Sequence, residues 1–274
     1  MTYVIDLSGE LVFIGLGLHD ELGLTLRGQT EANSCDSLFA EFYTSPMPDL
    51  TMKGLKAIVG KEVKVLPRSD VEERAEELIL SKASRGKVGF LVPGDPMVAT
   101  THVDLRLRAQ RAGIRTRIVH AASVVTAAAG ATGLQSYKFG RTVTIPISRQ
   151  GEFPESIHQA IKANQASGLH SLLLLEVDVE NNRHVTIPEA LDKLLEASKR
   201  REEGTVTPDT LAVALARLEA PDMKITAGTP SELLRTDFGE PPYVVILPSQ
   251  LHFIEAEALQ AFCGARRELV TAKP

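Results

Sequence analysis

The chain has 274 residues, 43% hydrophobic and 24% charged, the balance of a soluble globular protein long enough for one large domain or two ordinary ones. A net charge of −5 argues against nucleic-acid binding by phosphate neutralisation, and 5% aromatics without tryptophan argue against stacking platforms for single strands. Cys35 and Cys263 are the only cysteines, no apolar run reaches membrane-span length, and Asp6 and Glu10 replace a basic leader, so a cytoplasmic protein without disulfide, metal site or membrane partner is expected.

Residues 1 to 10 read as an extension. The first convincing element is the strand Leu11-Val12-Phe13-Ile14, which feeds Gly15-Leu16-Gly17-Leu18. This is half of a dinucleotide fingerprint: the third glycine is missing and Gly23 comes too late. The glycines are instead expected to let the backbone pass close to a ligand, with Leu16 and Leu18 in apolar contact. A modest helix is expected over Leu24 to Cys35, then a strand over Ser37 to Tyr43 that ends in Thr44-Ser45-Pro46. Glu41, an acid among aromatics, reads first as a half-exposed residue at a pleat position and second as a tuned functional group. Lys53 to Val59 reads as a short helix and Glu62 to Leu66 as a short strand. Ser69-Asp70-Val71-Glu72-Glu73 has capping-box character and opens a helix to about Ser84.

The organising stretch is Lys87 to His102. Val88 to Val92 reads as a buried parallel strand that stops at Pro93-Gly94-Asp95-Pro96. In open α/β sheets the ligand crevice lies outside the carboxyl ends of the strands, so Asp95 either hangs over that crevice or caps the next helix. That helix carries Leu105, Leu107, Ala109 and Ala112 and stops at Gly113; Arg115 to Val119 follows as a strand. The alternation describes a parallel α/β domain over residues 1 to 120.

From His120 the chain enters a run of small residues, Ala127 to Gly133, with Ser123 offering a hydroxyl at a helix start. Residues 121 to 274 read as a second, mixed-sheet α/β domain. Its expected elements are strands over Thr142 to Pro146, Leu172 to Leu175 and on to Val179, Leu211 to Leu218, Met223 to Ala227 and Val244 to Leu247. Helices are expected over Pro154 to Ser167, Pro188 to Arg201 and His252 to Cys263, and Asn181-Asn182 marks a turn. Lys199 to Gly204 is a solvated charged end, and Thr229-Pro230-Ser231-Glu232 is a capping box with proline at the first helical position.

Several stretches together resemble the archaeal diphthine synthase family, within the tetrapyrrole-type methyltransferases. They are Phe13-Ile14-Gly15-Leu16-Gly17-Leu18, Phe39-Ala40-Glu41-Phe42-Tyr43-Thr44-Ser45, Pro93 to His102, Tyr137-Lys138-Phe139-Gly140, and Asp237-Phe238-Gly239 before Pro241-Pro242. The resemblance spans nearly the whole chain. It implies two α/β domains of the tetrapyrrole methylase type with S-adenosylmethionine in a cleft between them, usually in a homodimer. It implies successive methylation, to three methyls, of the amino group on the 3-amino-3-carboxypropyl-modified histidine of translation elongation factor 2. By position, the implied cofactor contacts are Leu18, Asp95, Val98, Ser123, Val124, Leu175, Leu218 and Tyr243. Relatives can carry histidine at the position of Tyr243, so a backbone contact is expected there. The first ten residues exceed the usual start and are expected to be dispensable for chemistry.

Methyl transfer from a sulfonium is an in-line displacement that asks the protein mainly for alignment. The acceptor must be a neutral amine, and a dry site lowers the pKa of a cation. Glu41, Tyr43, His102 and Asp95 are polar candidates near the expected site, with no general base assigned. His102 reads equally as a locally satisfied helix-start residue and as a substrate contact. Lys138 and Arg141 read as a solvated pair or as partners of the substrate carboxylate. A tetrapyrrole methyltransferase, which needs a basic pocket for a polycarboxylate ring, and a non-catalytic module for a nucleotide-like ligand are the alternatives.

Overall fold

The computed structural model describes residues 9–147, 153–179, 181–202 and 204–271. They fall into two compact units, Met1–Val124 and Val125–Pro274. In the first unit, strands β1 (Glu10–Gly15), β2 (Ser37–Ala40), β3 (Val63–Val65), β4 (Lys87–Val92) and β5 (Arg115–Val119) form one parallel sheet in the order β3-β2-β4-β1-β5. The apolar run Val88 to Val92 is the central strand, and its near-continuous hydrophobicity follows from burial on both faces. Side chains alternate across the sheet. Leu11, Phe13, Phe39 and Phe90 pack to one side with Ile79 and Leu105, and Val12, Ile14, Leu38 and Leu91 pack to the other with Leu55 and Val59. These partners, with Ala32, Val71 and Ala83, come from α1 (Leu26–Ser34), α2 (Met52–Val59), α3 (Arg68–Glu73), α4 (Ser81–Ala83), the π-turn Glu76–Leu80 before it, and α5 (His102–Arg111).

The expected extension is shorter than ten residues. β1 already begins at Glu10, and the Gly9 carbonyl accepts from Arg115 N–H at 3.3 Å. The Glu10 carboxylate is buried at the amino edge of the sheet against Arg115 at 3.1 Å and Lys87 at 3.9 Å. Glu31 joins it, paired with Lys87 and Arg117, each at 2.7 Å, and the Lys87 hydrogen bond holds its carboxyl below the ordinary range. Residues 1–8 lie outside the described residues. The capping box expected at Ser69 does not form either: the helix starts at Arg68 behind Pro67, so Ser69 already sits in the first turn. β2 stops at Ala40, three residues short of the expected end at Tyr43.

α6 (Val124–Thr132) begins at the last residue of the first unit, and the second unit continues with β6 (Val143–Ile145), α7 (Glu155–Ala166), β7 (Ser171–Leu175), and a hairpin of β8 (Val177–Asp178) and β9 (Arg183–His184). The turn expected at Asn181-Asn182 closes that hairpin, with Asn182 at φ +48°. Then come α8 (Ile187–Arg201), β10 (Ala212–Ala216), β11 (Lys224–Gly228), α9 (Pro230–Leu233), β12 (Tyr243–Leu247), α10 (Phe253–Cys263) and α11 (Arg267–Val270). The sheet order is β11-β10-β12-β7-β6, antiparallel except for β6 beside β7. The capping box at Thr229 and Glu232 forms as expected, and His252 with Glu255 makes a second one. Arg217, expected inside a strand, lies just past β10 at φ +53°. Glu203, expected in the charged end after α8, lies outside the described residues.

Candidate active site

The carboxyl ends of β4, β1 and β5, three neighbours in the first sheet, carry Asp95 and Val98, Leu18, and Ser123 and Val124 respectively. The Gly-x-Gly turn after β1 and the Gly-Asp-Pro turn after β4 are bonded to each other. Gly17 N–H donates to the Gly94 carbonyl at 3.2 Å and Gly94 N–H to the Gly17 carbonyl at 2.7 Å. The glycines of the β1 turn therefore serve backbone-to-backbone packing. A Cβ on Gly17 would stand 2.4 Å from the Gly23 carbonyl oxygen, and one on Gly15 would stand 2.6 Å from the Gly94 oxygen and 2.7 Å from Ala121 Cβ. Gly94 differs: at φ +66° its missing Cβ would meet only the Ala122 oxygen, at 3.9 Å. That open face lies beside Asp95 and is one a Cβ would partly fill.

Asp95 does not cap α5, which begins at His102. Its Oδ1 accepts Met97 N–H at 3.0 Å, an Asx turn that fixes the carboxylate, and its Oδ2 lies 2.7 Å from His120 Nδ1. Asp95 is 8% exposed and the His120 side chain 69%. Val98 and Leu18 are partly exposed on the same edge, Val124 is half-buried, and Ser123 is buried.

Beneath this edge Glu41 is fully buried, which corrects the half-exposed reading. It follows directly after β2, its N–H bonded to the Leu91 carbonyl of the central strand at 3.2 Å. Burial pushes its carboxyl up to about 7, against hydrogen bonds from the Thr44 hydroxyl at 2.5 Å and N–H at 3.0 Å. His102 Nε2 lies 3.8 Å from Glu41 Oε1 and 3.4 Å from the Tyr43 hydroxyl, and Nδ1 lies 2.8 Å from the Thr100 hydroxyl. Burial pulls His102 down to about 4, opposed by a hydrogen bond to the Pro96 backbone. It also raises Tyr43, whose ring carries the Arg68 guanidinium 5.2 Å from its centre. Burial thus favours the neutral form of both Glu41 and His102. His102 is satisfied locally and braces the loop that carries Asp95.

In the second unit, Leu175, Tyr243 and Leu218 share one end of the sheet. Tyr243 pairs with Ala216, β7 ends at Leu175 one step beyond the Val244–Leu174 pair, and Leu218 follows β10. The Tyr243 hydroxyl donates to the Gly239 carbonyl, so its side chain is occupied. Lys138 is partly buried, and its ammonium bonds Glu255 and the Gln250 carbonyl. Glu255 is fully buried. Burial raises its carboxyl, but hydrogen bonds from Lys138, Gln135 N–H, His252 N–H and His170 outweigh it and hold it at about 2. The Arg141 backbone N–H and carbonyl are both bonded to the Asn164 side chain.

Residues 10–233 match the family model for tetrapyrrole (corrin/porphyrin) methylases. The chain is 41% identical over 260 residues to diphthine synthase of Methanothermobacter thermautotrophicus, covering 95% of this chain and 98% of that protein. It is 43% identical over 256 residues to diphthine synthase of Methanocella arvoryzae, covering 93% and 99%. The chain belongs to the diphthine synthase family. A crystal structure of a diphthine synthase superimposes with a TM-score of 0.82 at 34% identity, covering 95% of this chain and 98% of that one, so the two-sheet architecture is that of the family. S-adenosylmethionine is the methyl donor of this enzyme class.

Within the diphthine synthase framework, the residue that sequence reasoning passed over is His120. In the sequence it reads only as the entry to a run of small residues. The signal was a histidine directly after β5, one strand-end from Asp95, and pairing the two requires the strand order β4-β1-β5, which residue spacing does not give.

Proposed function

We propose that the chain methylates, successively and up to three times, the amino group of the 3-amino-3-carboxypropyl arm on the modified histidine of translation elongation factor 2. As a member of its family it is an S-adenosylmethionine-dependent methyltransferase of diphthamide biosynthesis. The observation that carries the site is the pairing of an open, positive-φ Gly94 with a fixed, buried Asp95 at a parallel-sheet carboxyl edge. The cofactor contacts are proposed at Leu18, Asp95, Val98, Ser123 and Val124 in the first unit and at Leu175, Leu218 and Tyr243 in the second. Their chemistry suits the group: apolar leucines and valines for an adenosine, one carboxylate and one hydroxyl to orient polar atoms, and backbone at Tyr243, whose hydroxyl is already used.

When bound, S-adenosylmethionine supplies an electrophilic methyl on a sulfonium. The residues of the chain hold the acceptor nitrogen in line. The work is proposed to take place in the cytoplasm, which suits two unpaired, buried cysteines whose thiols burial pushes up to about 11, and in a homodimer. Among the described residues no helix is long and apolar enough to cross a membrane.

The test is intact-mass analysis of archaeal elongation factor 2 carrying the unmethylated arm, incubated with the protein and S-adenosylmethionine. Stepwise methyl additions to a plateau of three are expected. Cofactor binding without any mass change overturns the reading. Light scattering in solution tests the homodimer.

A further inference from the structure

We propose that His120, aligned by Asp95, is the general base that removes a proton from the acceptor nitrogen before each methyl transfer. The inference rests on the amine substrate read above. Asp95 is buried and pinned by Met97 N–H, so its second oxygen, 2.7 Å from His120 Nδ1, has a fixed place. A carboxylate only accepts, so Nδ1 carries a hydrogen, and in the neutral ring Nε2 then has the lone pair. The ring is 69% exposed and, among the described residues, bonds to nothing but Asp95, which leaves Nε2 open to an incoming ammonium. Gly15 makes the pair possible. It ends the strand between β4 and β5, and a side chain there would drive into the Gly94 carbonyl and Ala121, the segments that carry Asp95 and His120.

The other titratable groups near this edge do not present a base. Both oxygens of buried Glu41 are bonded by Thr44, His102 is 1% exposed with Thr100 and Tyr43 on its two nitrogens, and His19, directly after Leu18, is 15% exposed with Asp49 at 3.3 Å and Asp20 at 3.5 Å from its two nitrogens. Of these imidazoles and carboxylates, His120 alone combines a fixed orientation with an accessible lone pair.

The step balances without a further reactant. An ammonium has no lone pair to attack with. Nε2 takes one N–H proton, the bonding electrons stay on the acceptor nitrogen, and the imidazolium keeps its Nδ1–H on the Asp95 carboxylate. The nitrogen lone pair then forms the N–C bond to the methyl carbon as the C–S bond breaks, its electrons going to sulfur. Sulfonium becomes thioether, the product is again an ammonium, and exposed Nε2–H gives its proton to water. Each product that retains an N–H needs the same base in the next round, so one residue serves every addition.

The test compares wild type, His120→Gln and His120→Ala on modified elongation factor 2 from about pH 6 to about pH 9, with calorimetric S-adenosylmethionine binding and 15N imidazole NMR of the unliganded protein. The variants are expected to bind S-adenosylmethionine like wild type and to transfer methyl about 100-fold more slowly near neutral pH. The deficit is expected to narrow as rising pH deprotonates the amine, and added imidazole to restore His120→Ala in a dose-dependent way. NMR is expected to show the Nδ1–H tautomer in wild type. A deficit unchanged with pH and not rescued by imidazole, an Nε2–H tautomer, or cofactor affinity falling in step with rate overturns the proposal. Wild-type transfer matched by His120→Ala overturns the base alone, whereas cofactor binding by wild type with no transfer overturns the substrate reading and the base with it.

Discussion

Gly17 and Gly94 donate their N–H groups to each other's carbonyls, so the turns after β1 and β4 move as one piece. Their substitutions should nevertheless part company. Gly17→Ala combines φ +75° with a Cβ 2.4 Å from a backbone oxygen and is expected to cost about 2–3 kcal/mol of folding stability. Gly94→Ala, with only the Ala122 oxygen at 3.9 Å, is expected to cost no more than about 1–2 kcal/mol and to weaken S-adenosylmethionine binding instead. Urea denaturation beside calorimetric titration separates the two effects.

Asp95→Asn keeps an acceptor for Met97 N–H but can turn an amide N–H toward His120. The imidazole is then expected to hold its hydrogen on Nε2, the nitrogen needed as base, and transfer to fall at least about 100-fold with little change in melting temperature. Wild-type turnover in a folded Asp95→Asn protein would show that the pair does not set the tautomer.

Glu41 should make the protein less stable in alkali. Its folded pKa of about 7 lies above the ordinary 4.5, so the folded chain holds a proton that the unfolded chain releases. The stabilisation is complete below the lower value and is lost as pH rises through the upper one. Glu41→Gln cannot ionise, and its stability relative to wild type is expected to rise by roughly 3 kcal/mol between about pH 5 and about pH 8. Equal denaturant midpoint shifts in both proteins would refute this.

Glu255 works in the opposite sense. Its folded value of about 2 lies below 4.5, so its contribution is present above the ordinary value and fades as pH falls through the folded one. Glu255→Ala strands Lys138, His170 and two backbone N–H groups around a buried space and is expected to cost about 3–5 kcal/mol, measured by denaturation at neutral pH.

What the chain declares about itself follows the range of the interactions. The buried run Val88 to Val92 and the Thr229 capping box are local, so composition and spacing suffice to read them. Ser69 misleads because its box is equally local but Pro67 starts the helix first. The Gly-x-Gly turn invites a ligand by its letters, yet its partners are Gly23 and Gly94, known only after the sheet is assembled. Glu41 and His102 lie far apart in the chain, as do Asp95 and His120, and their protonation and pairing come from burial and strand order. The carboxyl edge beyond Val92 is therefore legible in the sequence, and the contact between Asp95 and His120 there is not.

The ion pairs of Glu10 and Glu31 with Lys87, Arg115 and Arg117 lie at the far edge from Asp95 and His120. The sheet thus has a tied hem and a looser fringe: the strands are anchored at one edge, while the groups proposed to react hang on connections at the other. Grafting the segments 93–101 and 120–123 from a methylase of different acceptor should accordingly change what is methylated while leaving cooperative unfolding intact.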